Sequence, residues 1–132
     1  MAEMSDYLEN AMLNLTLNGT AFTAISTPYV SLHTADPTDA GTGTEVSGGS
    51  YARTSASFAT ASGTGGSVAT DADITFPTAT ASWGTVTHIG IWDGATVGSS
   101  NLLYHTALDS SKTIDSGDIF KITSGNLTVT LA

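Results

Sequence analysis

Apolar and polar positions follow two different periods along the chain. Tyr7, Leu8, Ala11, Met12 and Leu15 recur at helical spacing. Ser5 stands where an N-cap belongs, and Asp6 and Glu9 fall in the first turn, where the helix dipole favours negative charge. Gly19 supplies a stop. The spacing predicts a helix over 5–17. A helix this short needs packing to persist, so it either lies across an open end of the fold or docks on a neighbouring subunit.

Beyond Gly19 the period falls to two. Residues 29–34 read as a strand with Val30 and Leu32 inward. The run Ala35-Asp36-Pro37-Thr38-Asp39-Ala40-Gly41 is turn chemistry, since Pro fixes φ and Asp side chains bond nearby amides. Residues 42–50 carry three glycines and Glu45 and read as a long loop. Residues 51–59 read as a second strand with Ala52, Ala56 and Phe58 on one face, and 61–67 as a second loop. Ile74-Thr75-Phe76 is a short strand that Pro77 ends. The densest apolar run is 83–92, with Trp83, Ile89 and Ile91 on one face and Val86, His88 and Trp92 on the other. Bulk on both faces predicts a central strand. Strands follow at 102–108, 119–122 and 127–131. Trp83, Ile89, Ile91, Leu127, Val129 and Leu131 are the expected core.

Seven or so strands with turn signals between them predict an all-β fold, a β-sandwich or jelly-roll-like domain with a short N-terminal α-helix. Strands do not alternate with helices, which excludes a parallel α/β sheet. We expect two parts: an N-terminal helical arm over 1–20 and a β-sandwich domain over 21–132.

Composition narrows the function. With 132 residues the chain is one domain's worth, and there are no cysteines for disulfides or thiolate metal sites. Twelve acids against three bases give a net charge of −9. Binding to phosphate backbones needs Lys and Arg, and only Arg53, Lys112 and Lys121 are present. Nucleic acid and membranes are therefore not expected partners. The start of the chain lacks the basic stretch of a signal peptide, and no apolar run reaches the length of a spanning helix. Thr and Ser supply 39 residues while charged residues make only 11%. Such a surface suits strands and packing against other copies.

Candidate chemistry is sparse. His33 and His105 lie opposite the better apolar faces and read as half-exposed strand residues, whereas His88 reads as a core or interface histidine. Their spacing matches no local zinc motif. There is no Gly-x-Ser-x-Gly elbow and no phosphate loop. Asp71 with Asp73, and Asp36 with Asp39, resemble fragments of a calcium loop but complete none, and read as turn caps. The Asn-x-Thr triplets at Asn14, Asn18 and Asn126 read as coincidence in a Thr-rich chain. We expect no enzymatic activity, no catalytic residues, no cofactor and no metal.

Several motifs together resemble a family of small bacteriophage virion proteins, tail-fibre-like or minor structural proteins. They are Tyr7-Leu8-Glu9-Asn10, Gly19-Thr20-Ala21-Phe22, Thr34-Ala35-Asp36-Pro37-Thr38-Asp39-Ala40-Gly41 and Glu45-Val46-Ser47-Gly48-Gly49-Ser50-Tyr51-Ala52-Arg53. Ile74-Thr75-Phe76-Pro77, Ser116-Gly117-Asp118 and, above all, Trp83-Gly84-Thr85-Val86-Thr87-His88-Ile89-Gly90-Ile91-Trp92-Asp93 complete the set. The resemblance implies a virion component. A chain of this length without an internal repeat is too short for a whole fibre, so a capsid cement or decoration protein on the capsid exterior is favoured. The alternative is a tail component, a fibre tip or adaptor involved in host attachment. The expected partners are other virion proteins, the major capsid protein first and tail proteins second, with assembly as a dimer or trimer. The expected contacts are Tyr7, Leu8, Met12 and Leu15 on the helix, with Glu45 and Val46 in the 42–50 loop.

Overall fold

A computed structural model describes residues 2–131. The chain opens with a short strand, β1 (Glu3–Met4), and the helix α1 (Asp6–Leu17). Strands β2 (Tyr29–His33), β3 (Thr54–Ser55), β4 (Ser67–Ala69) and β5 (Ile74–Thr75) follow. The longest pair is β6 (Gly84–Trp92) and β7 (Leu102–Ile114), and β8 (Lys121–Ile122) and β9 (Thr128–Thr130) close the chain. One sheet has the order β1-β7-β6-β2-β3 and is antiparallel throughout. Two small ladders, β4-β9 and β5-β8, complete the strands. The molecule is all-β with a short N-terminal helix, as the alternation predicts.

The core forms where one face of the large sheet meets the two ladders. Val30 and Leu32 of β2 and Ile89 and Ile91 of β6 join Ile74, Phe76, Phe120, Leu127 and Val129 in one buried cluster. Phe76 meets Phe120 edge to face at 5.6 Å, and Tyr51 meets Trp83 the same way at 5.4 Å, a geometry the ring quadrupole favours. Leu131 is the exception to the expected core: it is exposed, one residue past Thr130, where the pairing with β4 ends.

Strict alternation misplaces Val86. It lies in the same buried cluster as Ile89, not on the face of Trp92. The cause is an irregularity in the β6–β7 ladder. Val86 pairs with Lys112 and His88 with Ala107, so Thr87 alone faces Leu108, Asp109, Ser110 and Ser111. A bulge of this kind rotates one segment of a strand against the next and returns Val86 to the core side.

Other differences come from short, polar pairings. The strand expected over 51–59 reduces to Thr54–Ser55 and an isolated bridge between Phe58 and Thr70. β7 runs on to Ile114 through polar residues, because β6 offers it a partner there. β4 lies at the end of a segment that reads as a Gly-rich loop, and β1 precedes the helix where only two residues are paired.

The histidines also differ from expectation. His33 and His105 are buried and His88 is half-buried. The second face of β2 and β6 is not open to solvent. The turn after β2 folds over it, and a Cβ added at Gly41 would stand 3.4 Å from both Trp92 and Leu102. That cover buries His33, the last residue of β2, while His88, its direct partner on β6, stays half-buried.

Candidate functional site

The helix is built to begin firmly and end freely. Ser5 Oγ accepts the Leu8 amide at 3.2 Å and donates to the Leu102 carbonyl, while the Ser5 amide donates to the Leu103 carbonyl at 2.9 Å. The root of α1 is thus welded to β7. Gly19, at φ +70°, lets the Thr20 amide turn back onto the Asn14 carbonyl. Leu8 is the only buried side chain of the helix. Tyr7, Leu13, Leu15 and Leu17 are exposed, Leu17 at 78% of its full surface. No charged side chain follows Glu9 in the helix.

A helix apolar on several sides is normally enclosed. Here the fold encloses one side. Of the expected helix contacts, Tyr7 and Leu15 face solvent, Met12 is half-buried and Leu8 packs on the body. Leu13 and Leu17 were not singled out by the helical spacing, because they fall off the Tyr7–Leu8–Met12–Leu15 stripe. Their exposure follows from how little of the helix touches the sheet.

The two loop residues lie elsewhere. Val46 is buried in the core, and its amide donates to the Leu32 carbonyl. Glu45 is gripped by Arg53, with Nε and Nη2 each 2.8 Å from a carboxylate oxygen. Tyr51 donates to the same carboxylate at 2.8 Å and accepts the Leu32 amide at 3.0 Å. The 42–50 segment is therefore pinned to the sheet by its backbone and its one acid. Burial pushes Glu45 up, but the hydrogen bonds from Arg53 and Tyr51 outweigh it and hold the carboxyl below its usual range. Burial, followed by the Glu45 charge, pushes the Tyr51 phenol far up, so it stays protonated.

Behind this clamp lies a short polar relay. Trp92 Nε1 donates to Ser31 Oγ at 2.7 Å, and Ser31 Oγ is 2.7 Å from His33 Nε2. Ser31 Oγ also donates to the Gly90 carbonyl at 3.4 Å. The other ring nitrogen of His33, Nδ1, is buried and makes no hydrogen bond among the described residues. Burial lowers the His33 pKa and keeps the ring neutral. A Ser–His contact is the start of a nucleophilic site. Both side chains are closed off from solvent, at 0% and 1% exposure, so no substrate reaches this pair and its work is structural.

A second cluster gathers at the root of the helix. His105 Nε2 is 2.8 Å from Asp39 Oδ1 and 4.0 Å from Glu3 Oε2, and His105 Nδ1 is 3.5 Å from Asp36 Oδ1. Asp36 is oriented by accepting the Thr38 amide at 2.8 Å. Asp36 thus caps its turn through the Thr38 amide, whereas the Asp39 side chain is spent on His105, and both close over this buried histidine of β7. Asp71 and Asp73 make no such cluster; Asp73 accepts the Ser124 amide and pairs with Lys121 at 3.1 Å.

A family model described as podophage GP4 fiber I protein gp80 matches residues 3–130. No curated protein matches the chain.

Proposed function

The chain belongs to the podophage GP4 fiber I protein gp80 family, a family of phage structural fibre proteins, and from that premise we propose that it is a non-enzymatic fibre module held in the virion by helix α1. The observation that carries this is the helix itself. Leu13, Leu15 and Leu17 stand exposed on a segment without charged residues, on a molecule whose net charge is −9. The acidic body repels its own copies, whereas the neutral end of the helix does not. Burying a leucine is worth roughly 1.5–3 kcal/mol, so three of them provide a substantial anchor once a partner covers them.

The partner is another virion protein, and several copies bound together multiply a modest single contact. Assembly as a dimer or trimer would supply that multiplicity. The family's fibre description favours a tail or fibre attachment over the capsid surface. A cement role on the major capsid protein is the second reading, supported by the exposed apolar helix on a β-rich body.

The test replaces Leu13 and Leu17 by Asp together and measures copies per particle by mass spectrometry of purified virions. The double variant should fold with an unchanged melting temperature and be lost from particles. Full incorporation would remove the helix from this role. The wild-type count separates the readings: a few copies co-purifying with tails fits a fibre, hundreds retained on tailless heads fits cement.

A further inference from the structure

We propose that Glu3, Asp39 and His105 form a binding site for a divalent first-row transition metal ion of the zinc type, placed at the root of the helix. Each residue offers one ligand atom, and these atoms lie within 4.8 Å of one another. They come from three separate parts of the chain: β1, the turn after β2, and β7. The set is an imidazole with two carboxylates, a mixture that suits zinc and its neighbours better than calcium, which takes oxygen alone.

Three features support the site. The imidazole is fixed, since His105 is only 5% exposed. The ring nitrogen away from the pair, Nδ1, lies 3.5 Å from Asp36 Oδ1, a short approach away from the hydrogen bond by which a second carboxylate orients a metal-bound histidine. Charge is the third. Glu3, Asp36 and Asp39 converge on one imidazole, while Arg53 is engaged by Glu45 and Lys121 by Asp73. No lysine or arginine pairs with the three acids among the described residues.

The ligands need only a small adjustment. Zinc–ligand bonds of about 2.0–2.1 Å set neighbouring ligand atoms about 3.3 Å apart in a tetrahedral site. Asp39 would move out slightly from its 2.8 Å contact and Glu3 would move in from 4.0 Å. Both side chains are free to turn, at 49% and 73% exposure. Water would fill the remaining position.

Bound there, the ion would tie β1 to β7 and to the turn. Asp39 also holds the helix through its backbone, because its carbonyl accepts the Asp6 amide at 3.1 Å. The ion would therefore stiffen the base from which α1 projects.

The test is a titration of the full chain with Zn²⁺ by calorimetry, with melting temperature as a second readout. The wild type should bind one ion saturably and melt at a higher temperature, with the rise reversed by EDTA. Asp39→Asn, which keeps a hydrogen-bond partner for His105, and Glu3→Gln, at an exposed position, should each weaken binding at least tenfold while melting like the metal-free wild type. Absence of saturable binding, or a loss smaller than tenfold in both variants, overturns the site. The result does not depend on what the helix docks against, so it stands or falls apart from the fibre reading.

Discussion

The guanidinium of Arg53 lies over the face of Trp92, its central carbon 3.8 Å from the centre of the ring. The same group makes the paired bonds to Glu45, and its third nitrogen reaches the carbonyls of Gly94 and Thr96 at 3.4 Å. One side chain therefore joins the 42–50 segment, the sheet and the turn after β6. Cation–π contact and bidentate pairing are both things a planar guanidinium does and an ammonium does not.

Replacing Arg53 with Met should leave the Glu45 carboxylate without its counter-charge, with only the Tyr51 hydroxyl donating to it, in a largely enclosed place. Breaking a fully buried pair costs about 3–5 kcal/mol. Glu45 keeps 12% of its side chain exposed, so we expect about 2–4 kcal/mol by denaturant unfolding, after discounting for solvent screening. Adding Glu45→Gln should restore part of the loss. A single variant within 1 kcal/mol of wild type, on the order of an exposed pair, would show that the clamp contributes little.

Acid should weaken the fold in two stages. Burial holds the His33 pKa below its ordinary 6.5, so the unfolded chain takes up that proton first and stability falls as pH drops below 6.5. Glu45 lies below its ordinary 4.5, where burial is outweighed by Arg53 and Tyr51. Its contribution is present above 4.5 and is lost as pH falls through the folded value. Relief of self-repulsion in a chain of net charge −9 acts in the opposite direction, so the informative quantity is a difference. Wild type minus His33→Gln should decline between pH 6.5 and 5, and wild type minus Glu45→Gln should decline only below 4.5. A flat first curve would mean that His33 titrates alike in both states.

The sequence revealed what local periodicity encodes. Val30 and Leu32 alternate inward, Ser5 caps, and the run ending at Trp92 forms a central strand, because each rests on neighbours a few residues away. The burial of His33 and His105 was not legible. It depends on a turn folding back over the sheet and on Asp36, Asp39 and Glu3 arriving from distant positions. Val86 shows the same limit within a single strand, where a partner's bulge shifted its face. For the candidate contacts, helical spacing identified the stripe that includes Leu8. It did not reveal which side of the helix the body leaves bare, and so it passed over Leu13 and Leu17.

Two glycines should separate close approach to backbone from close approach to side chains. A Cβ at Gly43 would come within 2.3 Å of the Asp36 carbonyl oxygen and Pro37 Cα, which are backbone atoms of the turn. At Gly90 it would meet Ser31 Oγ at 2.8 Å and Trp92 Nε1 at 2.9 Å, which are side-chain atoms. Overpacking costs typically about 1–3 kcal/mol. Gly90→Ala should fall in that range and change the fluorescence of Trp92 as its bond to Ser31 is displaced. Gly43→Ala should cost more, since the whole turn must move. The reverse order of melting temperatures would contradict this account.

The two ends of the helix should answer substitution differently. Ser5 is fully buried and serves both α1 and β7, so Ser5→Ala removes a cap and leaves the Leu102 carbonyl without its donor. Loss of a cap costs about 1 kcal/mol and a buried unpaired acceptor about 1–3 kcal/mol more. Leu17 touches little, and Leu17→Ser should change stability by no more than about 0.5 kcal/mol, as surface substitutions do. Removing residues 1–18 altogether should destabilise the body, because Ala2 belongs to the core cluster and Glu3 and Met4 pair with β7. Thermal unfolding of the three proteins tests this directly. If the truncated chain melts with the wild type, the helix root is an accessory and the link between β1, Ser5 and β7 does not help to hold the sheet.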